Sequence, residues 1–439
     1  MLVWRPERGI VLEQFFGLRE NGTTVRTEAL AGLTTFLTMA YIIFVNPAIL
    51  ADAGMDRGAV FVATCLAAAI GSFLMGLYAN YPIALAPGMG LNAYFAYSVV
   101  QGLHYDWRVA LGAVFVAATL FLLISLFRLR AIIIEAIPVS LKLGIGAGIG
   151  FLLAMIGLEN AGIVVANPAT LVTLGDLKAP QAILSGLGFV AVLGLSHRRV
   201  LGSLVITILA LTALGLPFGV SEFKGIASIP PSLAPTFLQM DLRAALDVGA
   251  AGVVFALLFV EFFDNTGTLI GVAKSAGLLD ERGRLPRLGR ALVADSTAAM
   301  VGAALGTSTT TSYIESVAGV EAGGRTGLTA VVVGILFVAA LFISPLAASI
   351  PAYATAPALL FIACLMARSL RELDWDDLTE FGPGVVTAFA IPLTFSITDG
   401  IGFGLISYAC GKFLAGRGRD VSLAVWAIAA AFVAKIALT

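Results

Sequence analysis

The stretch Val260–Gly271 reads VEFFDNTGTLIG and sets two acids, an asparagine and two threonines in an apolar run that begins near Ala244. At helical spacing Glu261, Asp264, Asn265 and Thr268 stand at i, i+3, i+4 and i+7, so they share one face. An ionised carboxylate at mid-bilayer costs about 2.5–3.5 kcal/mol even on the mildest insertion scales. Two on one face therefore turn toward protein or a water-filled cavity, and such residues mark an ion or substrate path. A second polar group is Thr307–Ser312, six consecutive Ser or Thr residues, with Glu315 following on a helical part. β-branched Thr suits a short extended piece, whose backbone the hydroxyls can satisfy, with Thr310 as structural support. The plainer reading is a Ser/Thr-rich turn with a surface acid. Against it, no basic residue lies close in sequence and both flanks are apolar.

The third group is Ala86–Asn92, APGMGLN. Pro87 suits a helix start, where its missing N–H would be unpaired anyway. Gly88 and Gly90 permit close backbone approach. Exposed N–H groups at the half-helix start would point toward a bound polar solute. Asn92 offers the donor and acceptor that recognition of a heterocycle requires. A kink in a packing helix is the bland alternative, and a matching break in the other half of the chain weighs against it. Asp295, in ALVADSTAAM, is expected to act structurally by accepting N–H groups of a neighbouring broken helix, a relay role being the alternative.

These side chains need a scaffold that holds them at depth. Of 439 residues, 59% are hydrophobic and 12% charged, and mean hydropathy is +0.98. A soluble domain has about 25% charged residues; with repeated apolar runs of about 20 residues the chain falls in the polytopic membrane class. Fourteen runs, from 28–51 to 400–416, read as membrane elements, and 421–438 is either a further span or an interfacial helix. The third (83–101) and tenth (307–320) begin extended and are too short in helical form to cross about 30 Å. With the N-terminus inside, 19 Lys and Arg fall in inside segments and five outside; that positive-inside bias supports the alternation. Residues 28–215 hold seven elements with the broken one third, and 244–416 repeat that order around the linker 216–243. Seven is odd, so the second half enters from the opposite side as an inverted repeat, with binding at the midplane. Residues 1–27 then form a cytoplasmic N-terminal segment and 417–439 a C-terminal one, in a plasma or inner membrane.

Composition also excludes. A net charge of −1 implies no nucleic-acid partner. Cys65, Cys364 and Cys410 lie in apolar runs and read as small buried hydrophobes. No Walker A motif, metal-ligand cluster or nucleophile–base arrangement stands out, so neither a cofactor nor an enzyme is expected. Gly144–Gly150 (GIGAGIG) lacks a βαβ unit and suits small-residue helix packing, within the chain or at a homodimer contact. Glu159 and Asp399 fall at outer ends, where solvation is expected, and Glu135 and Lys142 flank Pro138 at snorkelling depth.

Five stretches carry a resemblance over nearly the whole chain: TEALAGLTTFLTMAYIIFVNPAIL (27–50), APGMGLNAYFAY (86–97), VEFFDNTGTLIGVAKSAGLLD (260–280), the run 294–332 around TSTTTSYIES, and PLTFSITDGIGFGLISYA (392–409). Together they resemble the AzgA-like purine permeases, a branch of the nucleobase–cation symporter superfamily that also holds uracil, xanthine and ascorbate transporters. The resemblance implies an all-α fourteen-span fold. Spans 1–4 and 8–11 would form a core, and spans 5–7 and 12–14 a gate. It also implies proton-coupled uptake of hypoxanthine, guanine or adenine, with sodium coupling left open. Glu261 matches the base-binding acid of span eight, Asp264 the second acid, Glu315 the acid of the broken tenth span, and Asn92 the asparagine of the broken third. Asn265 stands where uracil-type members have histidine, so no histidine relay carries over. TTTSYIES differs from the Gln/Asn-rich signature of the xanthine branch. The base is expected between the broken helices, held by Glu261 and Glu315, with backbone groups near Ile314 and the Gly88–Asn92 turn. Phe95 or Tyr94 would form a stacking wall. Glu261 is the expected proton carrier, with Asp264 and Glu315 in the coupling set and Asp264 supporting rather than touching the base. A uracil or xanthine symporter and an anion exchanger on the same fold are the alternatives.

Overall fold

A segment in lipid must pair its own N–H and C=O groups, so the apolar runs become helices. The computed structural model describes residues 8–127, 138–247, 250–280 and 285–438, with the side chains of 8–11, 263, 264, 266 and 435–438 outside that description. The chain is mostly helical, and among the described residues nine helices are long and apolar enough to cross a membrane. Two shorter apolar helices, Ser203–Gly215 and Leu423–Ala434, add to them.

After α1 (Arg8–Phe16), the first span is α2 (Val25–Met39) and α3 (Ile42–Asp52), interrupted at Ala40 and Tyr41. α4 (Arg57–Leu74) is capped by Asp56, which accepts from the Ala59 N–H at 2.7 Å. The third run is broken as expected: β1 (Leu85–Pro87), then α5 (Met89–Ala93), which continues as π-type turns over Tyr94–Gly102. α6 (Trp107–Leu126), α7 (Val139–Asn160), α8 (Pro180–His197) and α9 (Ser203–Gly215) complete the first half.

In the second half Leu242–Ala245 is a separate short helix, α10, capped by Asp241, and α11 (Ala251–Ser275) starts later than the apolar run near Ala244. α12 (Leu288–Leu305) ends at Gly306, whose φ of +94° suits glycine. The tenth run is β4 (Thr310–Ser312) followed by α13 (Ser316–Glu321). α14 (Gly327–Ala340), α15 (Ser344–Ala348), α16 (Ala352–Ala367), α17 (Leu378–Thr394), α18 (Ile397–Leu414) and α19 (Leu423–Leu438) follow.

The broken elements meet. β1 and β4 pair antiparallel, Leu85 with Ser312, Ala86 with Thr311 and Pro87 with Thr310. The Gly88 N–H donates to Thr309 O and the Tyr313 N–H to Ala84 O, each at 2.9 Å. This corrects the expectation that the threonine hydroxyls satisfy the strand. Backbone pairing does so, and the hydroxyls of Thr309, Thr310 and Thr311 have no hydrogen-bond partner among the described residues.

Helices sort into two packed groups. α2, α4 and α6 pack with α11, α12 and α14, while α7, α8 and α9 pack with α16, α17 and α18. The Gly144 stripe lies in the second group, inside the chain. A Cβ on Gly144 would sit 2.3 Å from Gly384 O, and one on Gly148 2.6 Å from Ile391 Cδ1. Only glycine lets α7 and α17 approach so closely.

Several local features escape a scan for apolar runs. Val164–Asn167 and Leu171–Leu174 form a surface hairpin, β2 and β3, whose turn is held by Asn167 Oδ1 accepting from Ala169 N at 2.8 Å. Cys65 is buried, but Cys364 and Cys410 are exposed on outward helix faces. An apolar run in lipid has an outward side as apolar as its inward side, so hydropathy alone does not bury a cysteine. Lys412, counted with the inside loop cations, is buried on α18 and paired with Glu380 at 2.7 Å and Asp377 at 3.5 Å. Asp377 also caps α17; the Thr379 hydroxyl and the Arg417 guanidinium beside it hold its carboxyl well below the usual carboxylate range. Glu159 is exposed as expected, Asp399 is half-buried, and Glu135 lies outside the described residues.

Candidate functional site

α11 packs against β4, α13 and α5, so it lies beside both broken elements. Its polar face points inward: Glu261 and Asn265, one turn apart, are both 0% exposed. Thr268, the next turn along, is half-buried, and the Asp264 side chain lies outside the described residues.

A chain of polar contacts ties this face to the strands. Asn265 Nδ2 donates to Asp295 Oδ2, and Ser312 Oγ donates to Asp295 Oδ1 at 2.8 Å. Asp295 thereby joins α11, α12 and β4. This support includes two side-chain donors, Asn265 and Ser312.

Asn92 lies in α5, fully buried. Its Oδ1 accepts from the Ser308 hydroxyl, just ahead of β4. Its Nδ2 and the Oδ1 of Asn265 have no partner among the described residues. A buried amide group without a partner costs about 1–3 kcal/mol, and each is a group that a polar ligand or a water can satisfy. Gly88 is held close to the second strand: a Cβ there would lie 2.9 Å from Thr311 Cγ2. On Gly90 a Cβ would lie 2.5 Å from Ile149 Cγ2 of α7, so this turn also touches the second helix group.

Glu315 is half-buried at the start of α13 and accepts from the Tyr41 hydroxyl at 2.7 Å. Ile314 is 49% exposed, which leaves its surroundings open at the point where the base was expected. Tyr313 donates its hydroxyl to Pro87 O at 2.5 Å, a second clamp between the two elements. Phe95 is 1% exposed, within the apolar core, and the Tyr94 hydroxyl pairs with Thr398 Oγ1 of α18 at 2.6 Å. The structure thus brings Glu261, Asn265, Asp295, Asn92, Gly88, Thr310, Ile314 and Glu315 onto segments linked through α11 and the strand pair.

Three residues of this region escape the sequence reading. Glu28, fully buried in α2, accepts the N–H groups of Arg325, Thr326 and Thr329 at 2.9, 3.3 and 3.2 Å and the Thr329 hydroxyl at 2.6 Å. It closes the start of α14, where unpaired N–H groups favour an anion. The signal was an acid in the first apolar run, at Thr27-Glu28-Ala29. Asn46 donates to Thr64 Oγ1 at 2.7 Å and Thr307 Oγ1 at 2.9 Å, anchoring the turn that leads into β4. Tyr41 is the third.

Residues 26–403 match the Permease family, Xan_ur_permease. The chain is 50% identical over 426 residues to the adenine permease AdeP of Escherichia coli (strain K12), covering 97% of this chain and 96% of that one. It is 44% identical over 434 residues to the guanine/hypoxanthine permease PbuG of Bacillus subtilis (strain 168), covering 96% and 98%. Among solved structures, the transmembrane domain of the cyanobacterial bicarbonate transporter BicA aligns with a TM-score of 0.66 at 15% identity, covering 86% of this chain and 97% of that one. Murine Slc26a9, an anion transporter, aligns at 0.64 with 11% identity, covering 94% and 74%. At such identities these two likenesses speak for the fold and not for a substrate.

Proposed function

This chain belongs to the permease family, in the branch that holds the adenine and guanine/hypoxanthine permeases, and from that premise we propose that it imports purine nucleobases by proton symport. It is a multi-pass membrane protein and a transporter, not an enzyme. The observation that carries the substrate reading is Glu261, fully buried on the helix that touches both broken elements. A carboxylate accepts from two neighbouring N–H groups at once, the pattern that guanine offers with N1–H beside its exocyclic amine. Glu261 holds the base and takes the coupled proton. Glu315 reads the opposite rim, and Asn92 with the backbone at Gly88 and Ile314 completes the contacts. Asn265, Asp295 and Thr310 support the site, and Phe95 walls it. Asp264 belongs to the coupling set.

The architecture proposed is two inverted repeats of seven spans, 28–215 and 244–416, in a cell membrane, with the N-terminus on the cytoplasmic side and 417–439 as a C-terminal segment. Two facts support it. The antiparallel strands come from the third element of each half, and the helices sort into groups that match a core and a gate. Elevator-like movement of one group against the other gives alternating access.

Competition of labelled hypoxanthine uptake by adenine, guanine, xanthine and uracil tests the substrate class; inhibition by uracil or xanthine alone would replace the hypoxanthine, guanine or adenine reading with the uracil or xanthine alternative. Glu315→Gln is expected to weaken uptake about ten-fold for some bases and less for others, since a hydrogen bond to a charged group contributes about 1.5–3 kcal/mol. An unchanged competitor ranking removes Glu315 from direct contact. Collapse of the pH gradient is expected to stop accumulation, and dependence on sodium removal alone would assign the coupling elsewhere.

A further inference from the structure

The carboxylate of Glu315 is held from the first span. Helix α2 ends at Met39 and α3 begins at Ile42, and the break between them presents Tyr41. This tyrosine is 1% exposed, so its hydroxyl needs a partner inside the protein. A backbone carbonyl would suffice for that. Instead the hydroxyl donates to Glu315 Oε1 at 2.7 Å. A hydrogen bond to an ionised oxygen is about twice as strong as a neutral one and sets the orientation of the group that accepts it.

The surrounding packing fixes this meeting. A Cβ on Gly319 would stand 2.1 Å from Thr35 Oγ1 and 2.6 Å from Ala31 O, so α13 is pressed on α2. Thr38, one turn before the break, sends its hydroxyl to Thr35 O at 2.7 Å and reaches Glu315 O at 3.4 Å. On the other side, Tyr313 is tied to Pro87. The backbone of residues 313–319 is therefore fixed from two directions, and the Tyr41 hydroxyl adds a hold on the Glu315 carboxylate itself.

We propose that Tyr41 is a positioning residue for base recognition, which orients the Glu315 carboxylate toward the rim of the bound purine. This rests on the reading of Glu315 as a base-binding group. Tyr41 itself does not touch the base. A tyrosine with a merely structural role would change protein yield or melting temperature when altered, without changing which bases compete.

The test is hypoxanthine uptake and base competition in Tyr41→Phe, Glu315→Gln and the double variant. Y41F keeps the ring and removes the donor. The expected result is a KM raised roughly ten-fold with an unchanged maximal rate, an unchanged melting temperature in detergent, and an altered competitor ranking. In the E315Q background Y41F is expected to add nothing, since coupled residues are non-additive. Glu315→Asp withdraws the carboxylate by one methylene with Tyr41 intact; it should reproduce the Y41F ranking and be insensitive to Y41F, which keeps the test open if Y41F alone is poorly produced. A wild-type KM and ranking in Y41F, or independent multiplication of the two effects, overturns the proposal. If E315Q alters the ranking and Y41F does not, only the role of Tyr41 falls. If E315Q itself leaves the ranking unchanged, the base-binding reading falls and takes Tyr41 with it.

Discussion

Glu261→Gln is expected to abolish concentrative purine uptake while leaving the protein folded in the membrane. The substitution keeps shape and volume, and the side chain is fully buried, so its effect reports chemistry rather than packing. Glutamine accepts through one oxygen and cannot carry a proton between the two sides. Two charge-assisted hydrogen bonds reduced to one neutral acceptor weaken binding by about 3 kcal/mol, or about 100-fold. Loss of the proton step removes accumulation altogether. Uptake of labelled hypoxanthine against its gradient, normalised to protein in the membrane, measures this. Full accumulation in the variant would remove Glu261 from the site.

The second large effect is one of stability. Glu28→Ala is expected to lower the melting temperature in detergent by roughly 5–10 °C, a shift of the size that a few kcal/mol produces. Glu28 accepts three backbone N–H groups and one hydroxyl with no exposure to solvent. Alanine leaves those donors without an acceptor, and each unsatisfied buried group costs about 1–3 kcal/mol. Glu28→Gln retains one acceptor oxygen and should fall between alanine and the wild type. Thermal unfolding followed by size-exclusion chromatography reads the difference. A wild-type melting point in E28A would mean that the α14 start does not depend on this carboxylate.

Depth and residue type made much of the site legible. Glu261, Asp295 and Asn92 stood out because polar groups are costly in apolar runs, and all three are fully buried. The breaks at Ala86–Asn92 and Thr307–Ser312 were legible from Pro, Gly and β-branched residues, and each contains a strand. What stayed hidden was pairing. Nothing in the composition of the chain says that β1 and β4 bond to each other, or that Tyr41 meets a residue 274 positions away. Glu28 is not legible in the sequence because an acid at the edge of an apolar run resembles a solvated one, and only the docked start of α14 distinguishes them. The same limit applied to the cysteines. Their burial depends on which way a helix faces, and a membrane helix can be apolar all round.

The strand pair also has a consequence for biosynthesis. Leu85–Pro87 pairs with partners more than two hundred residues later in the chain. Until those residues are made, the first half holds a stretch of extended backbone whose hydrogen-bonding groups have no strand to meet, in surroundings that supply little water. So distant a contact makes closure slow and late. The first half is therefore made before its own centre is complete. The contact between the two broken elements comes into being only when the second half arrives.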